Sequence, residues 1–148
     1  NIYNPFNVHS DIHKCKKRFI PLSINIYEDN SNHSTILLID KQKKILEYFD
    51  PEYKKMNKYL RIKLKNFQNK FFKNYELLIV TDLTNKTFQD RVDAYSGMCV
   101  TWCILYIQYR ITNDHIDIKD ILNDIHKFVT KDVLLKYGKY ISRIIKNK

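Results

Sequence analysis

His33-Ser34-Thr35-Ile36-Leu37-Leu38-Ile39-Asp40, Lys41-Gln42-Lys43-Lys44 and Ile45-Leu46-Glu47-Tyr48-Phe49-Asp50-Pro51 form the stretch on which the fold turns. Its first part is a nearly continuous apolar run, the pattern of a central strand covered on both faces. Four polar residues interrupt it, and a second apolar run follows until Pro51 stops it. Two strands joined by so short a polar segment most simply form an antiparallel hairpin. A turn centred between residues 41 and 42 sets position 33 opposite position 50. A histidine and an aspartate then meet at the hairpin's open end.

Outward from this stretch, the patterning predicts the remaining elements. Upstream, Arg18 to Tyr27 alternates apolar and polar residues in its second half, as a half-buried strand does, and Glu28 to Asn32 reads as a turn. Residues 1–17 are polar and read as a loop or short helix. Downstream, Met56, Leu60, Leu64, Phe67 and Phe71 recur at spacings of three and four, which predicts an amphipathic helix over 55–72 with a basic outer face. Tyr75 to Val80 reads as another strand, and Thr81 to Tyr95 as a polar loop. Three helices complete the chain: Cys99 to about Ile111, one starting at Asp117 or just before it, and Lys131 to about Ile145, interrupted or kinked near Gly138. The order predicts an α+β fold with a mainly antiparallel or mixed sheet packed against helices.

The chain of 148 residues reads as a single domain, 1–148, long enough to bury a core without disulfide staples. Its net charge of +10 reads first as a lysine-coated, solvated surface, because the lysines are scattered rather than gathered in one block. Attraction to nucleic acid, anionic membrane or acidic protein segments is the sharper reading. Three cysteines, Cys15, Cys99 and Cys103, argue against a secreted disulfide scaffold and point to a reducing intracellular compartment. No apolar run approaches the ~20 residues that span a bilayer. The first residues carry no signal-peptide pattern and no initiator Met, so the chain can be a fragment of something longer.

The chemistry concentrates in Ser96-Gly97-Met98-Cys99-Val100-Thr101-Trp102-Cys103. A cysteine placed after a glycine turn and at the start of a helix meets backbone N–H groups and the positive end of the helix dipole, which favour a thiolate. Cys103, one turn further in, is expected to be buried and inert. His33 supplies an imidazole base, and Asp50 a carboxylate able to accept the Nδ1 proton of His33 and fix its tautomer. The backbone N–H of Cys99 and the side-chain amide of Gln89 are candidate donors to an oxyanion. Taken singly, each has a plainer reading: a buried cysteine, a turn histidine, an Asp-Pro turn. Neither Cys99-x3-Cys103 nor His9-x3-His13 with Cys15 is paired with a second cluster at metal spacing, so no metal or cofactor is expected.

In the order His33, Asp50, Gln89, Cys99, and in the segments quoted around them, residues 18–112 resemble the cysteine peptidases related to ubiquitin-like-protein-specific proteases and the adenovirus protease. The variants encoded by large DNA viruses are the nearest in kind. The resemblance implies a papain-like core in rearranged chain order, with Cys99 as nucleophile, His33 as base, Asp50 as orienter and Gln89 as oxyanion donor. It implies protein substrates, either viral precursors or ubiquitin-like conjugates, and a location in host cytoplasm or virion. The chain departs from the pattern in three places. Ser34 stands where many members carry Trp, Val100 where a Gly often follows the nucleophile, and Asp93 at the glutamine's usual distance from the cysteine. Two other readings stand beside this one. One is a catalytically weak binding module of the same fold for a ubiquitin-like or viral partner. The other is a basic nucleic-acid-binding domain presenting the helix of Lys54–Lys73.

Overall fold

The apolar run Ile36–Ile39 in the middle of a sheet needs cover on both faces, and the chain wraps it accordingly. The computed structural model describes residues 11–28, 31–52, 56–84, 87–88 and 98–147. The elements are β1 (Phe19–Glu28), β2 (Ser31–Asp40), β3 (Ile45–Phe49), α1 (Lys58–Phe71), β4 (Glu76–Ile79), a 3-10 turn (Val80–Leu83), α2 (Cys99–Thr112), α3 (Ile118–Phe128) and α4 (Lys131–Lys146). A further helical turn occupies residues 11–14. The sheet runs β1-β2-β3-β4. Its first two pairings are antiparallel, and β4 joins β3 in parallel after the α1 crossover. The fold is therefore α+β with a mixed sheet between helices.

Successive side chains of β2 point to opposite faces. Leu37 and Ile39 join Leu46, Tyr48 and Ile79 under the apolar stripe of α1, where Leu64 is buried. Ile36 and Leu38 join Phe49 on the other face, against Trp102, Leu105 and Tyr106 of α2, Ile121, Leu122 and Ile125 of α3, and Leu134 of α4. Phe49 stacks on Tyr106 with ring centroids 4.3 Å apart. The helices start where polar side chains satisfy their first N–H groups. Asn57, Asp117 and Thr130 accept from Tyr59, Lys119 and Val133 respectively.

Three expectations need correction. First, β2 begins at Ser31 rather than His33, so His33 lies inside a longer β1–β2 hairpin, opposite Ile26. Second, β2 pairs with β3 through Ile36–Phe49 and Asp40–Ile45, which centres the hairpin between residues 42 and 43. Asp40 Oδ1 accepts the N–H groups of Gln42 and Lys43, and Lys44 takes a left-handed φ of 55°, so residues 41–44 form the turn and Ile45 is the first paired residue of β3. Continued to the open end, this register sets Glu52, not Asp50, directly opposite His33. The slip is even, so every side chain keeps its face. Third, α4 runs unbroken through Gly138. A Cβ there would stand 3.5 Å from Thr101 Oγ1, so Gly138 is a packing point against α2.

A buried ion pair ties α2 to the sheet. Glu47, fully buried in β3, accepts from Arg110 Nε at 2.9 Å, from Arg110 Nη2 at 2.7 Å and from Tyr106 Oη at 2.9 Å. Such a planar, two-pronged pair fixes the rotation of α2 as well as its distance. Arg18 grips Asp40 in the same way and also bonds Asp114, which joins β1, β2 and the turn before α3. Among the described residues, no helix is long and apolar enough to cross a membrane.

Candidate active site

His33, on β2 beyond its pairing with β3 but still paired with Ile26 of β1, meets Asp50, the residue after β3. His33 Nε2 and Asp50 Oδ1 are 2.6 Å apart. Both lie beyond the last β2–β3 pair, Ile36–Phe49, where the two strands part. The bond uses Nε2, whereas the sequence reading assigned Nδ1. Nδ1, nearer the backbone, faces Glu52, whose Oε1 is 3.4 Å away. Asp50 Oδ1 also accepts the N–H of Glu52 at 2.9 Å, so the Asp50-Pro51-Glu52 turn holds both carboxylates against one imidazole. Glu52 is the site residue that sequence reasoning missed. Its signal was available only through the correct hairpin register.

The orientation leaves a definite vacancy for a proton. With Nε2–H donated to Asp50, the neutral ring carries its lone pair on Nδ1, which is buried and makes no hydrogen bond. Burial lowers the His33 pKa, but the Asp50 hydrogen bond and the charges of Asp50, Glu52 and Cys99 outweigh it. The imidazole is raised above its ordinary value.

Cys99 is the first residue of α2. That helix has no side-chain N-cap bond and no acid in its first turn, so among the described residues nothing neutralises its first N–H groups and dipole. Cys99 is 6 % exposed and belongs to neither apolar cluster. Its neighbour one turn on, Cys103, packs in the core and donates Sγ–H to the Ser34 carbonyl at 3.4 Å. Ser34 follows His33, so this contact brings the Cys-bearing face of α2 to the histidine's own backbone. Burial pushes the Cys103 thiol well up, with the charges of Cys99 and Asp50 adding to it, which makes it a poor nucleophile.

Gln89 and Asp93, the two candidates for the oxyanion position, and Ser96-Gly97 lie outside the described residues. Phe88, the residue before Gln89, is fixed: its ring packs on Phe49 and Trp102, and its N–H donates to the Pro51 carbonyl at 3.3 Å. Among the described residues, no three His, Cys, Asp or Glu side chains gather closely enough to hold a metal ion.

No protein-family model matches the sequence, and neither does any curated protein. Solved structures do match. The Chlamydia trachomatis effector protein ChlaDUB1 superposes with a TM-score of 0.64 at 14 % identity, over 92 % of this chain and 59 % of that one. The Chlamydia trachomatis effector Cdu1, in its structure bound to ubiquitin, superposes with a TM-score of 0.60 at 14 % identity, over 93 % of this chain and 65 % of that one. The chain thus spans about three fifths of the length of the structures it matches. At this identity the likeness establishes the fold alone, the α+β fold that the chain shares with these two effectors.

Proposed function

We propose that the chain is a cysteine peptidase that cleaves after the C-terminus of a ubiquitin-like protein, using Cys99, His33 and Asp50. The observation that carries the reading is the His33 ring. One nitrogen is held by the Asp50 carboxylate, the other is buried with the Glu52 carboxylate 3.4 Å away, and the charge of the cysteine that opens α2 acts on the same ring.

In this reading Nδ1 of His33 takes the Cys99 proton, and the resulting imidazolium is stabilised by Asp50. The thiolate adds to the scissile carbonyl, forming the C–S bond. The Cys99 N–H, one of the uncommitted donors of the first turn, receives the oxyanion. Imidazolium then gives its proton to the leaving nitrogen as the C–N bond breaks. A water, deprotonated by the same Nδ1, hydrolyses the thioester. Gln89 suits the second oxyanion donor better than Asp93, because an ionised carboxylate has no proton to offer and repels the developing charge. The anchoring of Phe88 beside Pro51 supports that choice. The ubiquitin held by a neighbour of the same fold favours ubiquitin-like substrates over processed viral precursors.

The test is a panel of ubiquitin-like proteins carrying a C-terminal electrophile. One member is expected to form a covalent adduct at Cys99. The adduct is expected to vanish in Cys99→Ser and persist in Cys15→Ser. Adduct formation that survives in Cys99→Ser, or none with any member of the panel, overturns the assignment.

A further inference from the structure

An open groove of about 780 Å³ begins at the catalytic pair and runs away from α2. Its catalytic end is His33, Asp50 and Glu52, and its walls are Ile24–Tyr27 of β1 on one side and Met56, Asn57, Tyr59, Leu60 and Lys63 at the start of α1 on the other. No residue of α2 lines it, and His33 is at its carboxylate end. β1 is an edge strand among the described residues, and Tyr27 and Tyr59 in the walls are 74 % and 63 % exposed.

We propose that this groove binds the leaving-group polypeptide, an extended segment that presents the lysine whose ε-amino nitrogen is released when the bond to the ubiquitin-like protein is cut. The inference rests on the peptidase reading above, and chemistry sets its direction. The thiolate attacks the carbonyl carbon from the Cys99 side, while the proton that frees the nitrogen comes from His33. The bond broken is C–N, the bond formed is C–S, and the proton passes from imidazolium to amine. The departing nitrogen must therefore lie over the imidazole, and the chain attached to it leaves on the imidazole's side, where the groove opens. Charge agrees with this occupant. The amine becomes a cation once it picks up a further proton from water, and Asp50 and Glu52 are the carboxylates that line the groove among the described residues, at the end where it forms. The one lysine in the lining, Lys63, rests its ammonium over the Tyr59 ring, 4.4 Å from the centroid. The open edge of β1 gives an extended segment backbone groups to pair with.

Two substrates built on the same ubiquitin-like protein separate this inference from the peptidase reading. One bears a coumarin amide, the other an isopeptide bond to the lysine of a fluorescent peptide. Tyr27→Ala and Tyr59→Ala, both surface changes, are expected to lower the kcat/KM ratio of the peptide-linked to the coumarin substrate about tenfold. An unchanged ratio overturns the groove. In parallel, Cys99→Ala protein is titrated with the free lysine peptide by fluorescence anisotropy. Saturable binding, weakened at least fivefold by Tyr27→Ala, supports the groove. Binding indifferent to Tyr27→Ala and Glu52→Gln, or no binding, overturns it. A chain inert toward both substrates overturns the peptidase reading instead, and the peptide titration then decides the groove by itself.

Discussion

At the scale of single residues, the site is an imidazole between two carboxylates and a thiol. Removing its parts should not cost equally. On the proposed peptidase reading, His33→Ala leaves the thiol without a base and should lower kcat/KM at least about a thousandfold, and Asp50→Asn, which keeps a hydrogen-bonding partner for Nε2, should cost less. Glu52→Gln removes a negative charge that helps hold the His33 pKa up. The imidazolium then loses its proton at lower pH, so the alkaline limb of the rate of Cys99 alkylation should move to lower pH. The same group links stability to pH. Its folded pKa is raised, so its contribution is complete below the ordinary histidine value of about 6.5 and is lost as pH rises through the folded value. The stability gap between the parent and His33→Ala should shrink from pH 6 upward, read by urea unfolding at each pH. A gap that widens would contradict the placement of the carboxylates.

At the scale of elements, α2 is the piece that must not rotate, since it carries Cys99 at one end and the Glu47 clamp toward the other. Arg110→Ala leaves the Glu47 carboxylate buried with only Tyr106 Oη beside it, and should cost about 3–5 kcal/mol in denaturant unfolding. The pair replaced together by Glu47→Met and Arg110→Met should recover most of that, because an apolar pair leaves no stranded charge. Gly138→Ala offers the opposite case. The added methyl would meet the Thr101 side chain at 3.5–3.6 Å, ordinary contact, within a regular helix. It should stabilise the protein by about 0.5–1 kcal/mol, the difference in helix propensity.

At the scale of the whole molecule, the sheet separates two apolar layers, and charged pairs fasten its rim. Burial raises the Asp40 carboxyl, but the Arg18 hydrogen bond and the backbone donors of the turn outweigh it and leave the pKa lowered. A lowered carboxyl contributes stability above its unfolded value of about 3.9 and loses it as pH falls through the folded value. Asp40→Asn should therefore be less stable near neutrality and should unfold over a shallower acid slope than the parent. An identical slope would remove Asp40 from the acid response.

What could be read directly from the chain follows from short-range physics. Strand and helix positions came from apolar periodicity, since a period of two or of about 3.6 says which face must be buried whatever covers it. The hairpin 33–50, the amphipathic helix over Lys58–Phe71 and the cysteine at the head of α2 were legible for that reason. Tertiary structure alone decided the rest. The register differs by two residues from the expected one because all four residues 41–44 belong to the Asp40 turn, which centres it between 42 and 43 rather than between 41 and 42, and periodicity is blind to an even slip. In the structure Nε2 rather than Nδ1 meets Asp50, and Nδ1 faces Glu52. The burial of Glu47 with Arg110, 63 residues apart, was equally invisible, because a charge is placed inside only when its partner arrives from another element.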